Sequence, residues 1–189
     1  FEVVESAVAE ALRPVVDRIG ALVADASSDR LAPEGLDKWA EQQNILQSRE
    51  AWDTMKDWID EVNPRFSYWV SERYRYATEI TDAQVEEAAQ LRDRVRARMD
   101  EVFADGGVVC LPTSPVPAPP RGQRLSERRD ALSRIIRLTC IGGTTGRPQL
   151  SIPVAQVYGM PVGLSLMGNR GSDEALMGFA LEIEKSLAL

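Results

Sequence analysis

Val108-Val109-Cys110-Leu111 is an unbroken apolar run, and Pro112-Thr113-Ser114-Pro115-Val116-Pro117-Ala118-Pro119-Pro120 follows it directly. Four apolar residues without polar alternation describe a strand covered on both faces. The proline-dense segment after it cannot join a helix interior or a central strand, so it forms a stiff, polyproline-like loop. A strand of this kind needs packed layers on either side, which predicts an α/β body with helices flanking a sheet. The pattern predicts Val108–Leu111 as the central strand of that sheet.

The remaining elements are read from periodicity. Val8, Leu12, Val15 and Ile19 lie 4, 3 and 4 residues apart, one helix face from about Ser6 to Ile19. Pro14 inside it should bend or break the helix. Ala21–Ala24 reads as a short strand. Residues 25–105 read as a long helical stretch, in which Trp52, Met55 and Ile59 share a face flanked by Trp58 and Val62. Asn63-Pro64 breaks it, and a second helix is expected from Pro64 to about Tyr76. Thr81-Asp82-Ala83-Gln84 has the form of a capping box opening a helix that carries Ala88, Leu91, Val95, Met99 and Val102, closed by Gly106-Gly107. Beyond the prolines, a helix is expected from about Arg124 to Cys140 with Leu125, Leu132, Ile136 and Thr139 on its apolar face. A glycine loop follows, then a hairpin of strands Gln149–Ala155 and Pro161–Met167 turning at Tyr158-Gly159. Ser172 caps a last helix with Leu176, Phe179, Ile183 and Leu187 inward. About four strands result, three of them reading as fully buried, and so small a sheet leaves a hydrophobic edge or face open.

Composition narrows the chemistry. With no His in 189 residues, the chain holds no Ser-His-Asp or Cys-His couple and no His-ligated zinc. Two Cys make neither a disulfide scaffold nor a structural zinc site. A net charge of −7 speaks against nucleic acid as a partner. No apolar run approaches the roughly 20 residues that span a bilayer, and no signal peptide is visible, so the expected location is cytoplasmic, away from membranes.

Several groups invite a functional reading. Gly142-Gly143-Thr144-Thr145-Gly146 is a glycine loop able to present backbone N–H groups to an anion or oxyanion, or simply to turn the chain between a helix and a strand. Arg121, Arg124, Arg128, Arg129, Arg134 and Arg137 crowd one helix, but interspersed Glu127 and Asp130 make a salt-bridged surface the better reading. Trp39, Trp52, Trp58 and Trp69, with Tyr68, Tyr74 and Tyr76, form either a local core or an apolar wall for a ligand. Cys110 and Cys140 have apolar neighbours and read as inert thiols. Lys38, Lys56 and Lys185 stand among polar residues, so none is depressed into a base. No nucleophile–base pair assembles from the chain.

The segments "VVCLPTSPVPAPP" and "CIGGTTGRPQLSIPVAQVYGMPVGLSLMGNRGSDEALMGFALEIE" resemble the C-terminal half of the amidase signature family. The matching features are the strand ending in Leu111-Pro112-Thr113, the Gly146-Arg147-Pro148-Gln149-Leu150-Ser151-Ile152-Pro153 strand, the Pro161-Val162-Gly163-Leu164 run and the Gly171-Ser172-Asp173 turn. The middle section, with "ILQSREAW", is similar to indole-3-acetamide hydrolase-like amidases. The resemblance implies a mixed sheet with helices on both faces, of which residues 1–189 would be the C-terminal portion of a single amidase domain: 25–105 mainly helical cover, 106–189 strands and flanking helices. It implies hydrolysis of a carboxamide to a carboxylate and ammonia through a serine acyl-enzyme. The family's Ser–cis-Ser–Lys triad lies in the N-terminal half, along with a Gly-Gly-Ser-Ser-Gly-Gly stretch, and no such stretch occurs here. Together with the low strand count and a start at Phe1, this leads us to expect a C-terminal fragment without catalytic residues, metal or cofactor. Thr113, Ser114, Cys140, Gly142, Gly143, Thr144 and Thr145 are expected to border the substrate site, with the tryptophan region as its apolar cover. The expected partners are a small-molecule amide and the N-terminal half of the same protein, with a homodimer left open; the alternative function is a non-catalytic interaction or dimerisation module.

Overall fold

The computed structural model describes residues 1–187, with the backbone alone at 125. Helix α1 spans Ser6–Gly20 and buries Val8, Leu12, Val15 and Ile19, the four positions its periodicity marks. Pro14 neither ends nor divides it: both Pro14 and Glu10, whose carbonyl loses its partner, are exposed, so water can satisfy that group. Ala21–Ala24 forms a turn, not a strand, and Leu22 and Val23 are exposed, because no neighbouring chain offers them a ladder.

Residues 25–35 carry no helix, and the helical stretch begins with α2 (Leu36–Val62). Asn63 ends α2 in the left-handed region (φ 46°, ψ 57°), a conformation Asn tolerates. Helix α3 runs over Tyr68–Glu79, four residues later than Pro64 suggested. Helix α4 (Asp82–Val102) opens on the capping box: the Gln84 N–H donates to Thr81 Oγ1 at 3.3 Å, and the Thr81 N–H donates to Gln84 Oε1 at 2.9 Å.

Strands β1 (Val109–Pro112), β2 (Gln149–Val157) and β3 (Met160–Met167) form a sheet in the order β1-β3-β2, antiparallel throughout. Among the described residues β1 is therefore an edge strand, not the centre; β3 is central. Its apolar run reflects cover on both faces, which does not decide lateral position. The hairpin turns at Tyr158 (φ 54°) and Gly159 (φ 75°), both left-handed as a tight two-residue turn requires. Helix α5 (Leu125–Thr145) and helix α6 (Asp173–Leu187) complete the chain.

The sheet separates two cores. On one side α1 and α6 pack Val8, Leu12, Ile19, Leu176 and Ile183 against Val162, Leu164 and Leu166 of β3, with Leu150 and Ile152 of β2 at the margin. On the other, α2, α4 and α5 bring Trp39, Val95, Met99, Leu138 and Ile141 onto Leu111 and Met167. The α/β class, with helices on both faces, is the expected one. The inward face of α5 is not. Leu132, Ile136 and Thr139 face out, while Leu138, Ile141, Thr144 and Thr145 are buried; the Leu125 side chain lies outside the described residues.

Candidate functional site

The second core does not fill the whole inner face of the sheet. Along β2, Gln149 and Ser151 alternate with Leu150 and Ile152; along β3, Gly163 and Ser165 alternate with Leu164 and Leu166. Period-two alternation sends the apolar set toward α1 and α6 and the polar set to the opposite face. The register places Ser165 between Leu111 and Ser151, and the N–H of Thr113, just past β1, donates to the Gly163 carbonyl at 2.9 Å. The result is a row of hydroxyls across three strands. Thr113 Oγ1 lies 2.7 Å from Ser151 Oγ and 2.9 Å from Ser165 Oγ, and Gln149 Nε2 donates to Ser165 Oγ at 3.1 Å. Gly163 permits this closeness: a Cβ there would stand 2.6 Å from Ser151 Oγ and 3.0 Å from Thr113 Oγ1.

The last turns of α5 face this row across an open cleft of about 390 Å³, lined by Thr113, Thr139, Gly142, Gly143, Arg147, Gln149, Ser151 and Ser165. Gly142, Gly143, Thr144 and Thr145 are helical, not a loop. The chain leaves the helix only at Gly146 (φ 65°), whose N–H donates to the Gly142 carbonyl at 2.8 Å. Glycines inside a helix cost roughly 1 kcal/mol each against alanine, so they need a packing reason. Here they have one. A Cβ on Gly142 would lie 3.0 Å from Gln149 Oε1, and one on Gly143 would lie 3.2 Å from Gln43 Nε2. The glycines let two amide side chains close on the helix surface. Its end carbonyls are occupied by cations: Arg96 Nε donates to Thr144 O at 3.1 Å and Arg170 Nε to Thr145 O at 3.0 Å. Inside the helix the N–H groups of this turn are spent on the carbonyls four residues back, so it offers no N–H cradle.

The expected border residues separate into two groups. Thr113, Gly142 and Gly143 reach the cleft. Ser114 Oγ turns back to the Val116 carbonyl at 2.6 Å, in a local turn of the proline segment. Thr144 is buried against α2, accepting from Gln42 Nε2 at 2.9 Å and donating to Gln43 Oε1 at 3.1 Å. Thr145 Oγ1 donates to the Ile141 carbonyl at 2.7 Å. Cys140 is buried, and desolvation pushes its thiol up to about 12.

The tryptophans do not wall the cleft either. Trp39 is fully buried in the second core, its Nε1 donating to Glu34 Oε1 at 2.6 Å. Trp52 and Trp58 make tilted ring contacts with Tyr74 and Phe66, on the side of α2 that meets α3. Trp69 lies under the guanidinium groups of Arg128 and Arg129 near the start of α5. Arg128 and Gly142 are fourteen residues apart on that helix, about 21 Å along its axis.

Arg147 closes the cleft floor. Its side chain is 1% exposed, bound to Asp100 of α4 and to Asn169 beyond β3, with its guanidinium 4.6 Å from the Phe103 ring centroid. Burial pulls its pKa down from the usual range, and Asp100 opposes that shift. Among the described residues the three lysines make one side-chain ion pair, Lys56 to Asp53 at 3.4 Å, and none meets a serine or threonine hydroxyl.

A family model described as Amidase matches residues 3–177. The chain belongs to the amidase family. Amidase 1 of Arabidopsis thaliana is 30% identical over 131 residues, which cover 69% of this chain and 30% of that protein. The Translocon at the outer membrane of chloroplasts 64 of Pisum sativum is 27% identical over 132 residues, covering 70% of this chain and 22% of its own length. Among solved structures, a crystal structure of an amidase matches with a TM-score of 0.78 at 26% identity, over 95% of this chain and 42% of that one. A bacterial aryl acylamidase of the amidase signature family matches equally well in shape, TM-score 0.78 at 16% identity, over 97% of this chain and 41% of that one; at that identity it speaks for the fold alone. The amidase-family chain described here thus spans less than half the length of each of these proteins.

Within this amidase-family chain, the cleft residues that sequence reasoning missed are Thr139, Arg147, Gln149, Ser151 and Ser165. The polar alternation of Gln149-Leu150-Ser151-Ile152 and Gly163-Leu164-Ser165-Leu166 was the available signal, hidden by reading both strands as buried on two faces. Among the described residues no helix is long and apolar enough to cross a membrane.

Proposed function

We propose that this chain is the cleft-bearing portion of an enzyme that hydrolyses a carboxamide to a carboxylate and ammonia through a serine acyl-enzyme, with the reacting serine and its lysine supplied by polypeptide outside residues 1–189. The observation that carries this reading is the pairing of family membership with a polar, hydroxyl-lined cleft that contains no serine–lysine contact among the described residues. Apart from Arg147, whose guanidinium is engaged by Asp100, the site offers neutral hydrogen-bonding groups suited to an uncharged amide, and its walls include no group able to take a proton from a hydroxyl near neutral pH. The outward face of α5, with Leu132 and Ile136 about 40% exposed, leads to Thr139 and Gly143 of the cleft. Its apolar character suits a substrate with an apolar body behind the amide, as in the indoleacetamide-like amidases.

The test is activity and covalent labelling together. Residues 1–189 alone should release no ammonia from phenylacetamide or indole-3-acetamide. In the protein that does turn these amides over, a fluorophosphonate should label a serine outside residues 1–189. A labelled serine or threonine within them would overturn the assignment. The likeness to the chloroplast envelope translocon protein of pea favours a second reading, a non-catalytic interaction module. Absence of amide hydrolysis in the full-length protein would select it.

A further inference from the structure

The hydroxyl row has a direction. Ser165 is 1% exposed, and its Oγ has two partners: Gln149 Nε2, which can only donate, and Thr113 Oγ1. A buried hydroxyl proton left without an acceptor is costly, so the Ser165 proton goes to Thr113. Thr113 then donates its own proton to Ser151 Oγ, 2.7 Å away. The Ser151 proton is left over, on an exposed residue that lines the cleft. Each donation polarises the next, so the chain ends in a strengthened O–H donor.

Gln149 supplies the complementary group. Its Nε2 is committed to Ser165, which leaves Oε1 as the free end of the amide, and Oε1 accepts no hydrogen bond from any described residue. It lies against Gly142 at the cleft wall, 3.0 Å from where a Cβ would stand. Gln149 and Ser151 are alternate residues of β2 on the same face, about 7 Å apart at Cα. Both side chains line the same cleft, so a planar group with one acceptor and one donor edge can meet the two together.

We infer that Gln149 and Ser151 form a carboxamide-reading pair: Ser151 donates to the carbonyl oxygen of a primary amide, and Gln149 Oε1 accepts from its N–H. The pair rejects the corresponding carboxylate, which presents an acceptor oxygen to the acceptor Oε1. Ser165 and Thr113 are positioning residues that fix the direction of the chain. The inference rests on the amide-hydrolase reading and gives its site a selectivity: the cleft holds substrate and releases product.

The experiment measures binding of phenylacetamide and phenylacetate to the full-length protein by ligand line broadening, before appreciable turnover, and takes the amide-to-acid affinity ratio. The wild type should favour the amide by about tenfold or more, the size of one well-made hydrogen bond against a mismatched one. Ser151→Ala and Gln149→Leu should each bring the ratio close to one. Thr113→Val, which breaks the relay and leaves both members of the pair in place, should lower it several-fold, and Ser151→Thr, which keeps the hydroxyl, should hold the ratio that Ser151→Ala loses. Ser151 is exposed, so its variants should fold. A wild-type ratio near one, or a ratio unmoved by Ser151→Ala and Gln149→Leu, overturns the inference, whether or not hydrolysis is observed. Hydrolysis with an unmoved ratio leaves the amide-hydrolase reading standing; a shifting ratio without hydrolysis defeats that reading and keeps the site.

Discussion

Cys110 and Cys140 show how far one residue's surroundings can be read ahead of the fold. Both stand among apolar neighbours in sequence, and both are held neutral by burial, Cys110 pushed up to about 11 and Cys140 to about 12 from 9.0. The sign of the consequence follows. Below pH 9 the folded and unfolded chains are both protonated at these thiols, and their contribution to stability is fully present. Between pH 9 and about 12 the unfolded chain ionises first, so stability falls as pH rises through that window. The thermal midpoint should therefore drop more steeply above pH 9 in the wild type than in Cys140→Ala, and parallel slopes would contradict the burial. At pH 8, iodoacetamide should leave both thiols unmodified on the timescale that alkylates the unfolded chain. Ser151 and Ser165 were harder to read. Alternation with Leu150 and Ile152, or with Leu164 and Leu166, marks the face each takes, but only the register against Thr113 turns them into a row.

At the scale of elements, helix existence was legible and helix orientation was not always. For α1 the apolar positions agree with one face only, so periodicity decided it. For α5 the apolar residues lie on more than one face: Leu132 and Ile136 on one, Leu138 and Ile141 on another. The second core takes the face that also carries Thr144 and Thr145, whose hydroxyls are satisfied internally and can be buried. Truncations should separate the two faces. Ile141→Ala, at 0% exposure, should cost about 2–4 kcal/mol of unfolding free energy, against less than about 1 for Ile136→Ala, read from urea midpoints. Equal losses would mean that α5 is turned the other way. The Gly142-Gly143 pair misled for a related reason: glycine is the usual sign of a helix end, and the amides that need the missing side chains come from residues 43 and 149, one of them about a hundred residues away.

At the scale of the whole molecule, Arg147, in the connection from α5 to β2, ties α4 and the turn after β3 together through Asp100 and Asn169. Its guanidinium is charged and almost wholly enclosed, while Asp100 is 59% exposed, so the pair is screened on one side. Asp100→Ala leaves that enclosed charge with one polar partner fewer. The expected loss is about 1–3 kcal/mol, below the cost of breaking a fully buried pair. Arg147→Met, which keeps the packing on Phe103 and removes the charge, should be milder than Asp100→Ala. Thermal unfolding of the two variants checks the order, and a reversed order would show that the ion pair itself, not relief of a buried charge, holds these elements together.

The sequence by itself determined the α/β class, the family, the hairpin, the cap of α4 and the inward face of α1, because each is written in local spacing or in an unbroken motif. Tertiary structure decided the rest. The edge position of β1, the helical state of Gly142–Thr145 and the outward turn of Leu132 and Ile136 depend on which neighbours arrive. The cleft is the strongest case. Thr113, Gln149, Ser151 and Ser165 come from three separate segments, and only antiparallel pairing at one particular register places their side chains on the same face within hydrogen-bonding reach.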